Sequence, residues 1–310
     1  MENDTRDEID VVHNSSGRDT IIIAQVVPEP PVTVRPRFVY PRRRVYLPIS
    51  LFVATCASTY FSYKWWQASS AMEALTYALS IMTILLCHEA GHFIQTLRYR
   101  VYASLPFFIP MPGSPIGTLG AVIGMEARVG NRKAVFDIGI SGPLAGLVPT
   151  LLFTALGLLY SHYQPPAAFS SSELTIQAPL VFEWIEHWIK GPAPLDQVLE
   201  LHPMAFAGWV GLLITSLNLM PVGQLDGGHI LYSLLRRRAH TVAWLFLMSA
   251  IAAMIVFRLP EWTVMIILLL FMGPRHPPTA DDDVPLGAAR IVLGWLTLAF
   301  VVVSFTPRPM

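Results

Sequence analysis

Residues 86–92 read Leu-Cys-His-Glu-Ala-Gly-His, so two histidines stand four positions apart with a glutamate directly after the first. Four residues advance an α-helix by about 400°, which sets His88 and His92 about 40° apart on one face, one turn from each other. Two imidazoles in that relation can hold one zinc ion. Glu89 projects about 100° round from His88. From there its carboxylate can reach a water at the metal without displacing a ligand, as a general base must.

The H-E-x-x-H pattern recurs by chance in unrelated chains, and its surroundings are what give it weight here. Ile81, Leu85, Leu86, Phe93 and Ile94 flank it. Burying two imidazoles and a carboxylate among such side chains is costly unless a partner compensates, and a metal would do so. A catalytic zinc takes a third protein ligand and keeps one position open. The candidates are Asp226, His229, Asp137 and Glu126. Asp226 is favoured. It follows Pro221, which breaks the last turn of an apolar stretch, and the segment holds Gly223, Gly227 and Gly228. An unwound segment of this kind is tolerated at membrane depth where it lines a cavity. His229 reads as a neighbouring polar contact and Asp137 as a helix-start or supporting residue. Asn218 has two readings: its amide polarises a scissile carbonyl or holds substrate backbone, or it bonds between helices.

The elements that must position these groups are membrane spans. Of 310 residues, 53% are hydrophobic and only 14% charged, and mean hydropathy is +0.50. A water-soluble chain would carry about a quarter charged residues. Lys+Arg and Asp+Glu both number 21, so no net charge favours nucleic acid, and two cysteines exclude a disulfide scaffold. A spanning helix needs about 20 apolar residues. Five stretches approach that length, at 46–62, 72–97, 134–160, 203–222 and 240–257, and 262–273 and 291–305 are shorter. With seven spans and the N-terminus inside, 17 of the 21 Lys/Arg fall on inner segments, which gives the chain a cytoplasmic N-terminus. If the second span ends near Leu97, His88 lies about 13 Å below the cytoplasmic edge.

The expected fold is therefore an all-α polytopic membrane protein of six or seven transmembrane helices, with a short re-entrant β-hairpin in the proline- and glycine-rich segment 105–123. That hairpin either offers an edge to an unwound substrate or only packs. Val181, Trp184, Ile185 and Trp188 share a helical face, so 180–190 reads as an amphipathic helix at the outer interface. Gly142, Ala145 and Gly146 suit close helix packing, Cys56 and Cys87 read as packing residues, and 276–283 as a solvated inner loop. Residues 1–20 hold six acids, which fits neither a secretory signal nor a transit peptide. The domain reading is a disordered cytoplasmic tail over 1–45, ending in a basic juxtamembrane segment, and a transmembrane catalytic domain over 46–305.

Together, His88-Glu89-x-x-His92 and Leu225-Asp226-Gly227-Gly228 resemble the site-2 protease family of intramembrane zinc metalloproteases. Gly117-Thr118-Leu119-Gly120-Ala121 and Gly142-Pro143-Leu144-Ala145-Gly146 agree with it, and the likeness covers roughly 72–235. The resemblance implies hydrolysis of a peptide bond within or beside the transmembrane segment of a single-span substrate in the lipid bilayer. It implies one zinc ion on His88, His92 and Asp226, with Glu89 activating the water and Asn218 steadying the reacting carbonyl or the substrate backbone. Gly117, Thr118, Leu119 and Gly120 would contact substrate. A multi-pass protein of the bacterial inner membrane is the expected setting, from the acidic start. The rival readings are a catalytically silent membrane scaffold or transporter and a zinc hydrolase acting on a lipid or small molecule.

Overall fold

Apolar runs punctuated by proline, glycine and arginine must satisfy their backbone groups internally once they leave water, and helices are the direct way to do so. The computed structural model describes residues 43–125, 130–165, 177–194 and 196–307, and Tyr40–Met310 clusters as one unit. The expected tail falls almost wholly outside the described residues. The helices are α1 (Arg43–Trp66), α2 (Ala71–Tyr99), α3 (Arg132–Tyr160), α4 (Leu180–Lys190), α5 (Pro203–Asn218), α6 (Asp226–Leu235), α7 (Arg238–Val256), α8 (Thr263–Met272) and α9 (Ala288–Ser304).

Local signals set the ends of the helices that matter most. Ser70 and Glu73 form a reciprocal capping box at the start of α2, and Arg100, at φ 54°, closes its other end. Asn131 caps α3 by accepting from the Ala134 N–H at 3.0 Å. Serine and threonine hydroxyls along α2, α3 and α5 donate to carbonyls one turn back, as Ser80, Thr150, Thr154 and Ser216 do. Those hydroxyl protons are thereby kept from facing lipid.

α1, α2, α3 and α7 are long and apolar enough to cross a membrane. The other three expected spans fold as shorter apolar helices, α5 of 16 residues, α8 of 10 and α9 of 17. The expected count of six or seven is thus supported for four. The shortness of α5 has a physical reason. Nearly all of it is buried by neighbouring helices rather than lipid, so its length need not match the bilayer.

α2, α3 and α5 form the central packing unit. Small residues bring α3 and α5 together: a Cβ on Gly157 would stand 2.0 Å from the Ala205 nitrogen, and one on Gly208 2.2 Å from Thr154 Oγ1. An aromatic chain packs between α1, α2 and α5, with Tyr63 stacked on Tyr77 at 4.6 Å and Phe206 on Trp209 at 5.7 Å. α4 is the amphipathic helix expected, and its face divides. Val181 and Ile185 pack on the core while Trp184 and Trp188 are exposed.

Two small antiparallel sheets complete the described structure. β1 (Phe107–Pro110) pairs with β2 (Thr118–Val122), Phe107 opposite Val122, to make the expected hairpin. β3 (His162–Gln164) pairs with β4 (Val198–Glu200). The 276–283 segment is solvated at Pro278, Ala280, Asp281 and Asp283, as expected, but not throughout. His276 is buried, and the Tyr232 hydroxyl donates to Asp282 Oδ2 at 2.8 Å, holding the segment down on α6.

Candidate active site

α2 contributes His88, Glu89 and His92 from consecutive turns, about 10 to 16 Å from its Tyr99 end by the helix rise. His88 and Glu89 are each 4% exposed. α5 stops at Asn218, and residues 219–225 turn back before α6 begins at Asp226. The sequence pattern puts Asp226 on an unwound segment, whereas here it is the first residue of a helix. The physical gain is clear, since the unpaired N–H groups and dipole at a helix N-terminus favour a carboxylate. The two glycines after it have a steric cause. A Cβ on Gly227 would lie 2.0 Å from the Leu219 carbonyl oxygen, and one on Gly228 2.3 Å from that of Gly223. Only glycine lets α6 fold that tightly over the break.

The result is a triangle of donor atoms from two elements. His88 Nε2 is 3.1 Å from Asp226 Oδ2, His92 Nε2 is 3.3 Å from Asp226 Oδ1, and the two Nε2 atoms are 3.1 Å apart. In a tetrahedral zinc site with bonds of about 2.0–2.1 Å, donors stand about 3.3 Å from one another. The triangle fits one such ion. The second layer fits too. His92 Nδ1 lies 2.8 Å from the Ile138 carbonyl oxygen, which can only accept, so the proton is on Nδ1 and the Nε2 lone pair faces the triangle.

The wall behind the histidines is α3. A Cβ on Gly142 would stand 2.0 Å from His92 Nε2, one on Gly146 3.0 Å from His88 Cβ, and one on Gly139 2.8 Å from His229 Cβ. The sequence suggests helix packing for Gly142 and Gly146, yet what these glycines admit is imidazoles. The signal that could have shown this is their spacing of three and four, which puts all on one face of α3. Pro143 lies among them without an N–H, so the Gly139 carbonyl is left free of the helix ladder beside the site.

A cavity of about 240 Å³ opens on this triangle and is lined by His88, Glu89, His92, Asn218, Asp226 and His229, with Ala121, Val122 and Ile123 of the hairpin on another side. Asn218 Nδ2 is 3.4 Å from His88 Nε2, so the amide stands at the edge of the triangle. His229 lines the cavity but is bonded through Nδ1 to His276 Nε2 at 2.6 Å, outside the donor set. Asp137 is occupied elsewhere, taking Arg290 Nε at 2.8 Å and Nη2 at 2.9 Å and also the Tyr99 hydroxyl. Glu126 lies outside the described residues. Gly117 and Thr118 serve the hairpin's own geometry. Gly117 (φ 81°) accepts from Ser58 Oγ at 2.7 Å, and the Thr118 hydroxyl donates to the Ile109 carbonyl at 3.0 Å. Leu119 is exposed and Gly120 has φ 95°. The hairpin residues that reach the cavity lie just beyond them, from Ala121.

The model for Peptidase family M50 matches residues 76–257, which include every side chain of the triangle. Over 163 residues the chain is 35% identical to the probable chloroplastic zinc metalloprotease EGY1 of Oryza sativa subsp. japonica, covering 51% of this chain and 28% of the relative. With EGY1 of Arabidopsis thaliana, also a probable chloroplastic zinc metalloprotease, it is 30% identical over 241 residues, 76% of this chain and 43% of that one. EGY2 of Arabidopsis thaliana is 28% identical over 249 residues. The chain thus spans less than half the length of these relatives. Their chloroplastic names give no support to the expected bacterial inner membrane, whereas the apolar helices support a multi-pass membrane protein. No solved structure matches the chain. On the family match over more than half its residues, with a donor set suited to zinc, the chain belongs to Peptidase family M50.

Proposed function

We propose that this chain is an intramembrane zinc metalloprotease that cleaves a peptide bond in or beside the transmembrane segment of a single-span membrane protein. The observation that carries the reading is the meeting of two imidazoles and a carboxylate at 3.1–3.3 Å, with Glu89 in the same cavity, about 10 to 16 Å along a spanning helix from its end. His88, His92 and Asp226 would hold the ion. The chemistry zinc supplies there is Lewis acidity, which lowers the pKa of a water and polarises the carbonyl under attack.

The chain's own groups do the rest. Glu89 takes the proton of the attacking water on its carboxylate and returns it to the leaving amine. His92, tied to the Ile138 carbonyl, keeps its tautomer and orientation. The Asn218 amide donates to the reacting carbonyl or to substrate backbone. The β1–β2 hairpin lies against the cavity, where a strand edge can pair with an opened substrate, since a helix must unwind before its amides can be reached. α5, α8 and α9 complete six or seven crossings with α1, α2, α3 and α7. The catalytic domain occupies 46–305, with the end that carries Arg132 and Arg290 on the cytoplasmic side. Basic groups at one end of the bundle support that orientation: Arg132 holds the Ser233 and Leu234 carbonyls, and Arg290 holds Asp137.

Glu89→Gln should keep zinc bound while cleavage of a model single-span peptide falls by about 10²–10⁴-fold. Asp226→Ala should lose zinc as well, read by metal analysis of the purified protein. Undiminished cleavage by the Glu89 variant would sink the assigned base. A wild-type protein without stoichiometric zinc would favour the scaffold or transporter reading.

A further inference from the structure

A second imidazole pair adjoins the cavity and the reaction above leaves it unused. His229, one turn after Asp226 on α6, lines the cavity with its backbone anchored to Leu225. His276, from the segment between α8 and α9, approaches from behind. Its Nδ1 is 2.5 Å from the Pro277 carbonyl oxygen and its Nε2 is 2.6 Å from His229 Nδ1. The Tyr232 ring stacks on His276 at 4.4 Å, and His240 Nε2 donates to the His276 carbonyl at 3.1 Å.

These contacts fix where the protons are. A carbonyl oxygen only accepts, so His276 Nδ1 carries the hydrogen and, in a neutral ring, Nε2 is a lone pair. His229 must then donate through Nδ1, which leaves its own Nε2 as an acceptor for the cavity. His276 is 4% exposed, and burial disfavours a charged imidazolium.

We propose that His229 is a substrate-contacting residue whose Nε2 accepts a hydrogen bond from a backbone N–H of the opened substrate strand, and that His276 is the positioning residue that holds it in that tautomer and orientation. This rests on the proteolytic reading. An extended segment in a water-poor cavity exposes N–H groups that cost free energy unless each finds an acceptor. On this wall few acceptors are free. The two ligand histidines and Asp226 are committed to the metal, Glu89 to proton transfer, and the Thr96 hydroxyl is bonded to the Phe93 carbonyl. Among the described residues lining the cavity, His229 is a buried neutral side-chain acceptor, beside the Gly139 carbonyl that Pro143 frees from the helix ladder.

The test measures binding of a fluorescent single-span model peptide to full-length Glu89→Gln protein in detergent, where no cleavage intervenes. Adding His229→Leu should weaken the dissociation constant about five- to tenfold, the span of one hydrogen bond, with zinc content unchanged. His276→Leu should weaken binding similarly, and His276→Gln, whose amide oxygen can accept from His229 Nδ1, should restore it. Unchanged affinity in His229→Leu overturns the proposal, as does loss of zinc in that variant, which would make His229 part of the metal shell. Equal loss in His276→Leu and His276→Gln overturns the positioning role. Failure of the parent Glu89→Gln protein to hold zinc or bind peptide would instead remove the proteolytic reading, and this proposal with it.

Discussion

His92 depends on a residue that has no side chain. A Cβ on Gly142 would stand only 2.0 Å from His92 Nε2, so no alanine fits without moving the imidazole, and the carbonyl of Ile138 holds that ring from its other side. Gly142→Ala is therefore expected to weaken zinc affinity at least tenfold although no donor atom has been changed, a loss of about 1.4 kcal/mol or more. Metal titration of the folded variant checks it. Retained wild-type affinity would mean α3 can retreat without consequence. At this scale the two histidines were legible beforehand because helical spacing is a property of the chain. The glycine wall was not, because its reading depends on which helix lies across it.

Among the elements, the segment joining α8 and α9 is held to α6 and to the residues just before α3 by polar contacts. His276 meets His229, Asp282 accepts from Tyr232, and the Ala280 N–H donates to the Gly130 carbonyl at 3.0 Å. Burial first, and the neighbouring His229 second, hold the His276 pKa down to about 3, against an ordinary value of 6.5. A released segment would therefore bind a proton that the docked one refuses. Attachment is full above about pH 6.5 and weakens as pH falls toward about 3. Hydrogen exchange of amides 274–287, corrected for intrinsic rate, should accelerate at pH 4.5 relative to pH 7. His276→Phe, which preserves the ring stacked on Tyr232, should remove most of that difference. The sequence showed a polar, proline-rich stretch here and suggested solvation. Its docking arises from side chains more than 30 positions apart, such as His229 and His276, which no local pattern connects.

For the whole molecule, the exposed apolar surface and the placement of basic residues are one statement about the bilayer. Leu245, Val256 and Phe271 on α7 and α8 are 65%, 72% and 89% exposed, a surface that water would not tolerate but lipid does. Asp196 and Asp283 should then lie on opposite sides of the membrane. In a background with Cys56 and Cys87 replaced by alanine, Asp196→Cys in sealed vesicles of known orientation should react with an impermeant maleimide from the outer side only, and Asp283→Cys from the inner side only. Labelling of both from one side would invert the arrangement of spans.

The chain on its own determined the membrane setting, the helical pair of histidines with its adjacent glutamate, the proline-glycine break that brings a carboxylate into play, the hairpin and the amphipathic α4. All of these follow from composition, from the 3.6-residue period or from backbone chemistry within about ten residues. Only the tertiary structure decided that Asp226 rather than Asp137 meets the histidines. Asp137 is claimed by Arg290, 153 positions away, and a salt bridge of that range has no local signature. It likewise decided that Asp226 opens a helix, that α3 presents glycines to the imidazoles, and that His276 stands behind His229. Each of these is a matter of which surfaces meet once the helices pack, a result of the many-body competition for space that a one-dimensional pattern does not contain.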